Sequence, residues 1–309
     1  MKLLVITQKV DNLEPELGFF SRWIEEFSKI TEILTVIALG VGTYSFKPNV
    51  KVLSLGKETG ELRLKYLLNF YKFIWAERKN YDKIFIHMNQ EYVILGSVPW
   101  AILGKEVFLW RNHAKGSLLT RLAVLFSKKV FYTSPESFTA RFKKAKIMPV
   151  GIDTDFFKPN PSIVKKPHTF LFLGRIAPVK RVLEFVEWFR ALPGTNQGTV
   201  AGRALPRDKN YDELVKSRAS EEIKFIGAVN RDEALKLYQS HETYVNMTPA
   251  GSFDKTIFEA AATGTRVKVS NTDLKFMENL TNGELRDFVV KNHSLKMLMD
   301  KLRQEISLS

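Results

Sequence analysis

The segment spanning residues 244–265 limits the possible folds more than any other part of the chain. Its start, Tyr-Val-Asn, is typical of the end of a strand, and a polar loop containing Gly251 follows. A helix of small residues then carries Glu259 and ends at Gly264. Although any α/β domain contains such strand–loop–helix turns, this order presents backbone N–H groups to an anion. The segment therefore predicts a phosphate-binding loop with a carboxylate behind it.

A second segment, upstream of the first, places two cations after a strand. The apolar residues 170–173 predict a buried strand that Gly174 closes, and Arg175 and Lys180 lie in the loop before a helix over residues 182–191. Arg binds phosphate oxygens in pairs, and Lys acts as a point charge. Two solvated loop charges are the alternative interpretation. Together the two segments indicate one nucleotide-binding domain.

These segments resemble the donor-binding motifs of family 4 retaining glycosyltransferases. In that family a Glu-x7-Glu pair brackets a glycine-containing loop, and its second Glu begins a Glu-Ala-Met-Ala-x-Gly helix. Glu259 begins the similar sequence Glu-Ala-Ala-Ala-Thr-Gly here. The spacing of Gly174, Arg175 and Lys180 equals that of the family's Gly-Arg-x4-Lys segment, whose cations hold the phosphates of the leaving nucleotide.

The sequence departs from the family pattern at two positions. The first acidic residue of the pair falls on Gly251, and Asp254 is the nearest carboxylate. Arg181 stands where the family usually has Gly. The first departure removes the carboxylate that normally makes one donor contact, so it favours a rival function, a non-catalytic glycan- or nucleotide-binding protein. A nucleotide-sugar epimerase of the same architecture is a second rival.

The resemblance implies a role for individual residues. Arg175 and Lys180 would hold the diphosphate, Glu259 the ribose or base side, and His113 would reach the sugar. The residues implied as catalytic are His113, Arg175, Lys180 and Glu259. The residues implied in donor binding are Gly18, Gly174, Gly202, Ser252, Phe253, Asp254, Lys255, Thr256 and Ile257. His87, Glu91 and Asp11 are further candidates near predicted strand ends. A UDP-sugar is preferred to a GDP-sugar as donor, on family frequency.

Strands and helices are predicted to alternate, which indicates parallel sheets covered on both faces. The proline-containing segment 147–161 reads as a linker and resembles the family's interdomain Asn-Gly-Val-Asp signature. The expected fold is α/β of the GT-B type, with two Rossmann-like doubly wound domains facing a central cleft. Residues 1–150 would form the acceptor side, and residues 151–309 the nucleotide-sugar donor domain.

Composition excludes several kinds of site. The chain has no Cys, so it has no disulfide, thiolate nucleophile or cysteine-based zinc site. No His or carboxylate pair has ligand spacing on one helix face, and neither a metal nor a cofactor is expected. The first residues read as a strand and not as a signal peptide, and the apolar run 92–104 is too short to span a bilayer. We expect a cytoplasmic protein.

Positive charge is concentrated in the first half of the chain. Residues 1–150 contain 23 Lys and Arg against 13 Asp and Glu, whereas residues 151–309 contain 24 against 20. The segments 62–79 and 141–146 mix these cations with aromatic residues, which is typical of an interfacial membrane surface or of a core helix with a solvated face. No nucleic-acid-binding motif accompanies the charge. We expect a glycan or lipid-linked acceptor and an anionic inner-membrane surface as a partner.

Overall fold

The computed structural model describes residues 1–12, 18–251 and 253–307, and its chain divides into two compact units. The first unit comprises residues 1–148 and 299–309, and the second comprises residues 149–298. Within the described ranges, no helix is long and apolar enough to cross a membrane.

The first unit contains a parallel sheet of seven strands in the order β3-β2-β1-β4-β5-β6-β7. Its strands are β1 Lys2–Val10, β2 Ile33–Val41, β3 Val50–Ser54, β4 Lys83–His87, β5 Glu106–Trp110, β6 Lys129–Tyr132 and β7 Ala145–Ile147. The α-helices of this part of the chain are α1 Phe19–Ile30, α2 Arg63–Ala76, α3 Gln90–Ile102 and α4 Leu118–Phe126. The strand order reverses between β1 and β4, which creates a crevice at their carboxyl ends.

The second unit contains a parallel sheet of five strands in the order β10-β9-β8-β11-β12. Its strands are β8 Lys166–Leu173, β9 Gln197–Ala201, β10 Ile223–Gly227, β11 His241–Asn246 and β12 Arg266–Val269. The remaining α-helices are α5 Val182–Arg190, α6 Lys209–Arg218, α7 Arg231–Ser240, α8 Lys255–Ala262, α9 Asn282–His293 and α10 Leu295–Ser307. Here the order reverses between β8 and β11, the strands before the two predicted phosphate-binding loops.

Helices cover both faces of the second sheet because neighbouring strand residues point to opposite sides. Leu171 packs with the apolar residues of α7, α8 and α9, whereas Phe172 packs with those of α5. Both side chains are almost completely buried. The apolar runs that predicted buried strands therefore form a sheet between two cores, and the predicted α/β fold is confirmed.

The last helix, α10, begins in the second unit and ends in the first. Leu302 and Ile306 are buried, and Lys129 of β6 lies 3.0 Å from Glu305 through its Nζ and a carboxylate oxygen. The sequence division at residues 150 and 151 assigned all of 151–309 to the donor domain. The division did not anticipate that the end of α10 belongs to the first unit, because the apolar spacing of a helix does not indicate which sheet the helix covers.

Candidate functional site

The carboxyl ends of β8 and β9 approach each other through two glycines. The N–H of Gly174 donates to the carbonyl of Ala201 at 2.9 Å, and a Cβ atom on Gly202 would lie 1.8 Å from the carbonyl oxygen of Gly174. Gly202 also has a φ of +153°, which L side chains rarely adopt. Any side chain at position 202 would thus separate the two loops that follow these strands.

Arg175 and Lys180 lie in the loop between β8 and α5, at the carboxyl end of the sheet. The loop is anchored by Ile176, which is buried and whose N–H donates to the carbonyl of Arg203 at 3.1 Å. Arg181 follows with a φ of 53°, in the left-handed region. Glycine adopts this conformation at little cost, whereas another residue loses about 1 kcal/mol. This explains in physical terms why glycine suits the position at which the sequence departs from the family pattern.

Asp254 is held by three side chains at the start of α8. Its Oδ1 lies 2.6 Å from Nζ of Lys180. Its Oδ2 accepts hydrogen bonds from Thr248 Oγ1 at 2.8 Å and from Asn246 Nδ2 at 3.1 Å. Burial alone would raise the pKa of Asp254, but the charge of Lys180 and these hydrogen bonds hold it below its usual value. The carboxylate is therefore ionised and fixes Lys180 beside the loop that follows β11.

Tyr244 connects the two loops from inside the sheet. Its hydroxyl lies 2.7 Å from Oγ1 of Thr256, at the start of α8, and 3.3 Å from the carbonyl oxygen of Leu173, at the end of β8. Asn246 Nδ2 also donates to the Tyr244 hydroxyl, at 3.2 Å. Thr256 is thus placed in the same hydrogen-bonded network as Asp254.

Glu259 and Lys255 form a second, partly buried polar group on α8. The hydroxyl of Tyr238 donates to Oε2 of Glu259 at 3.2 Å, while Nζ of Lys255 donates to the carbonyls of Val150 at 3.1 Å and Gly151 at 3.4 Å. Burial raises the pKa of Glu259, and the positive charge of Lys255 opposes this shift. Burial lowers the pKa of Lys255. This lysine joins α8 to the first residues of the second unit.

The loop at the first acidic position of the family motif has an unusual backbone conformation. Gly251 has a φ of +107°, so a glutamate there would strain the chain. Ser252 lies outside the described residues. Phe253 packs against Phe258, with ring centroids 5.6 Å apart, and Ile257 is buried in the same core. The side chains of these two predicted donor-binding residues support the loop from the apolar side.

A cavity of about 420 Å³ lies at the carboxyl ends of β9 and β10. Gly202, Arg203 and Gly227 border it, together with Phe225 and Lys209. Gly202 N–H donates to the carbonyl of Gly227 at 2.7 Å, which holds the two strand ends together. The volume of this cavity is adequate for part of a nucleotide-sized ligand.

Two predicted site residues lie in the first unit. His113 is exposed in the loop after β5, where its Nδ1 lies 3.0 Å from the N–H of Lys115 and its carbonyl accepts from the N–H of Phe138 at 2.9 Å. The same Nδ1 lies 3.1 Å from the carbonyl oxygen of Lys115, so either tautomer of the ring finds a partner in this loop. Gly18 is the residue before α1, and residues 13–17 of the same loop lie outside the described part of the chain.

The other candidates in the first unit are His87, Asp11 and Glu91, and their surroundings are typical of residues with a structural role. The ring of His87 is 2% exposed and stacks on Phe20, with centroids 4.1 Å apart. Asp11 pairs with Lys9 at 3.2 Å, and Glu91 lies in the first turn of α3. His87 is therefore enclosed by core side chains. Among the described residues, no group of three or more His, Asp and Glu is arranged to hold a metal ion.

Sequence reasoning missed three members of the site. Asn246 and Thr248 belong to a glycosylation-type sequon that carries no information by itself, and Tyr238 reads as an ordinary helix residue. The available signal was their position, because Asn246 ends a predicted strand and Thr248 follows it closely, and side chains there line the carboxyl edge of the sheet.

Two doubly wound parallel sheets, with cations and a carboxylate network after the strands at one switch point, define the GT-B class of α/β protein. The chain belongs to the family described as Glycosyl transferases group 1, whose sequence profile matches residues 153–308. No curated protein sequence matches it significantly.

Several solved structures share the fold. HepE from Anabaena, solved in complex with UDP-glucose, is similar with a TM-score of 0.75 and 14% identity, over 99% of this chain and 100% of the other. Sucrose-phosphate synthase from Thermosynechococcus elongatus is similar with a TM-score of 0.74 and 14% identity, over 100% of both chains. A glycosyltransferase from Rickettsia africae gives a TM-score of 0.69 and 14% identity, also over 100% of both.

Proposed function

We propose that this chain is a family 4 retaining glycosyltransferase that moves a sugar from a UDP-sugar to a glycan or lipid-linked acceptor without a metal ion. The observation that carries the proposal is the position of Arg175 and Lys180 after β8, at the switch point of the second sheet, with Lys180 held 2.6 Å from Asp254. A diphosphate at this edge would meet two cations.

The cations would act on the leaving group. When the bond between the sugar carbon C1 and the diphosphate oxygen breaks, negative charge grows on the diphosphate, and Arg175 and Lys180 are fixed beside it. Such prepositioned charge typically contributes several kcal/mol to catalysis and takes the place of a metal. The acceptor hydroxyl would attack C1 on the face that the diphosphate leaves, and its proton would pass to a phosphate oxygen. This step needs no protein nucleophile.

Other residues would position the donor. Glu259, whose Oε2 accepts from Tyr238, has a second oxygen with which to accept from ribose hydroxyls. His113 would hydrogen-bond to a sugar hydroxyl through Nε2. The UDP preference is supported by the similar fold of HepE, which was solved in complex with UDP-glucose. The preference over GDP is part of the proposal.

A donor panel tests the proposal. Thermal unfolding is measured with UDP, GDP and ADP sugars, because a ligand at about 100 times its dissociation constant adds about 2.7 kcal/mol of stability. Release of nucleoside diphosphate is then followed with acceptor mixtures in EDTA, and the anomeric configuration of the product is determined by NMR. We expect UDP-sugar protection, turnover in EDTA and a retained anomer.

Each alternative gives a different result in this assay. Protection without turnover would indicate a non-catalytic binding protein, which Gly251 at the first acidic position favours. Conversion of the donor with no acceptor present would indicate an epimerase. An inverted product would remove the family 4 mechanism while leaving the transferase.

A further inference from the structure

Helix α2 exposes an apolar stripe. Leu64, Leu68, Tyr71 and Trp75 are 66%, 61%, 39% and 55% exposed. Their spacing of four, three and four residues places them on one side of the helix. The opposite side is anchored in the core by Phe70, which is completely buried. The stripe therefore faces solvent because the other side of α2 already covers the sheet.

Helices α3 and α4 extend this apolar surface. The hydroxyl of Tyr71 donates to the carbonyl of Leu95 at 3.0 Å, so α2 lies beside α3, and α3 packs against α4. On these three helices ten large apolar side chains are exposed, and we call them the apolar face: Leu64, Leu68, Tyr71, Trp75, Val98, Ile102, Leu118, Leu119, Leu125 and Phe126. Exposed large apolar side chains gathered on three neighbouring helices favour a docking site.

The charge on the same helices has one dominant sign. Helix α2 contains Arg63, Lys65 and Lys72 and no acidic residue, and α4 contains Arg121 and no acidic residue. Helix α3 contributes one acidic residue, Glu91, and no cation. Lys65 is paired with Glu61, which lies just before α2. Lys72 also borders the stripe, so an occupant must accept apolar contact and positive charge together.

We propose that the apolar face docks on an anionic lipid bilayer. Trp75 and Tyr71 are the residue types that lie at the headgroup level, and cations beside them attract anionic lipid. A second copy of the chain fits less well, because a twofold interface would bring these cations against identical cations. The inference rests on the proposed function only in naming a lipid-linked acceptor, which docking would bring within reach.

The basic segment 141–146 contributes less to this surface than its sequence suggests. Lys144 donates to the carbonyls of Leu125 at 3.1 Å and Ser127 at 2.8 Å, so it caps the end of α4. Arg141 lies over the ring of Phe138, at 4.3 Å from its centroid. The docking surface is therefore defined by the helices α2, α3 and α4.

Cosedimentation with vesicles tests the docking proposal without donor or acceptor. The protein is mixed with vesicles of phosphatidylcholine alone or with added phosphatidylglycerol, at low and high salt. We expect stronger binding to the anionic vesicles and weaker binding at high salt, because salt screens the cations. The double variant Leu64→Ser, Leu68→Ser should bind anionic vesicles roughly tenfold more weakly, since two apolar side chains lose their burial.

A matched control replaces exposed apolar residues of the second unit by Val164→Ser and Leu214→Ser, which should bind as the wild type does. Equal binding by the stripe variant and the wild type would overturn the proposal, as would absence of binding to either vesicle. Sedimentation equilibrium without lipid is the second measurement, because a dimer that the stripe variant dissociates would make a second copy the occupant. Protection by UDP-sugars is measured on the same samples, so failure of docking and failure of the proposed activity are distinguished.

Discussion

Nζ of Lys180 lies 2.6 Å from Oδ1 of Asp254, so a cation predicted to bind phosphate is already paired with a carboxylate. Asn246 and Thr248 hold the other carboxylate oxygen, which fixes the direction from which the pair can act. Asp254 therefore holds Lys180 in place. It has little freedom to make the donor contact of the glutamate that Gly251 replaces. The pair sets the position of the positive charge before a donor arrives.

This relationship predicts that Asp254 and Lys180 act as a unit. Asp254→Asn removes the charge but keeps the size of the side chain, and we expect turnover to fall about tenfold because Lys180 loses its fixed position. In the Lys180→Ala background the same change should have much less effect. Rates of diphosphate release from the four proteins of this cycle check the coupling. Equal losses in both backgrounds would show that Asp254 acts on something other than Lys180.

Glu259→Gln should chiefly weaken donor binding. An amide retains one acceptor oxygen but cannot accept from two ribose hydroxyls and from Tyr238 as a carboxylate does. It also leaves Lys255 without a neighbouring negative charge, so the melting temperature should fall. Calorimetric titration with UDP measures the affinity, and Glu221→Gln on the exposed surface is the control. An affinity equal to that of the wild type would make Glu259 a structural residue of α8.

His113→Ala should lower the maximal rate more than the affinity for nucleotide. A hydrogen bond to the sugar that strengthens in the transition state contributes to kcat, whereas UDP alone lacks the sugar. Steady-state kinetics and UDP titration separate the two quantities. Because the side chain is exposed, the melting temperature should stay constant. Parallel losses of stability and rate would instead assign His113 to the packing of its loop.

Stability should depend on pH through His293. Burial lowers the pKa of His293 to about 4, whereas the unfolded chain titrates near its ordinary value of 6.5. As the pH falls from about 6.5 to about 4, the unfolded state binds a proton that the folded state does not, so the free energy of unfolding decreases by up to about 3 kcal/mol.

The check compares urea unfolding of the wild type and His293→Asn between these pH values. The amide oxygen can still accept from the N–H of Val150, as Nδ1 of His293 does at 3.3 Å. We expect a flatter pH dependence for this variant, and no change in slope for His168→Asn on the exposed surface. Identical slopes for all three proteins would mean that His293 is protonated equally in both states.

The fold was predictable because buried parallel strands have a clear sequence pattern. The strand predicted over residues 170–173 lies within β8 Lys166–Leu173, and the helix predicted over residues 182–191 agrees with α5 Val182–Arg190 to within one residue. The helix Lys209–Arg218 was not predicted, since its Val215 is the only residue of the helix that is fully buried and the rest is mostly polar. The short strand Ala145–Ile147 was also missed, because its basic residues resemble a surface cluster.

The candidate site was predictable where a motif fixes spacing along the chain. Arg175, Lys180 and Glu259 were predicted in this way. The partner of Lys180 was not, because 74 residues separate it from Asp254 and only the neighbouring positions of β8 and β11 bring the two together. The buried position of His87 could not be predicted either, because the aromatic rings that contact it belong to α1, which is distant in sequence.

The central claim is that the second unit binds the diphosphate of a nucleotide sugar through Arg175 and Lys180. The most direct test is diphosphate release by Arg175→Ala and Lys180→Ala, with UDP affinity measured by calorimetry and Lys224→Ala as the control on an exposed strand position. We predict folded proteins whose turnover falls by about a hundredfold or more, as loss of one charge-stabilising group typically causes, while the control keeps its activity. Wild-type turnover and UDP affinity in both variants would contradict the claim.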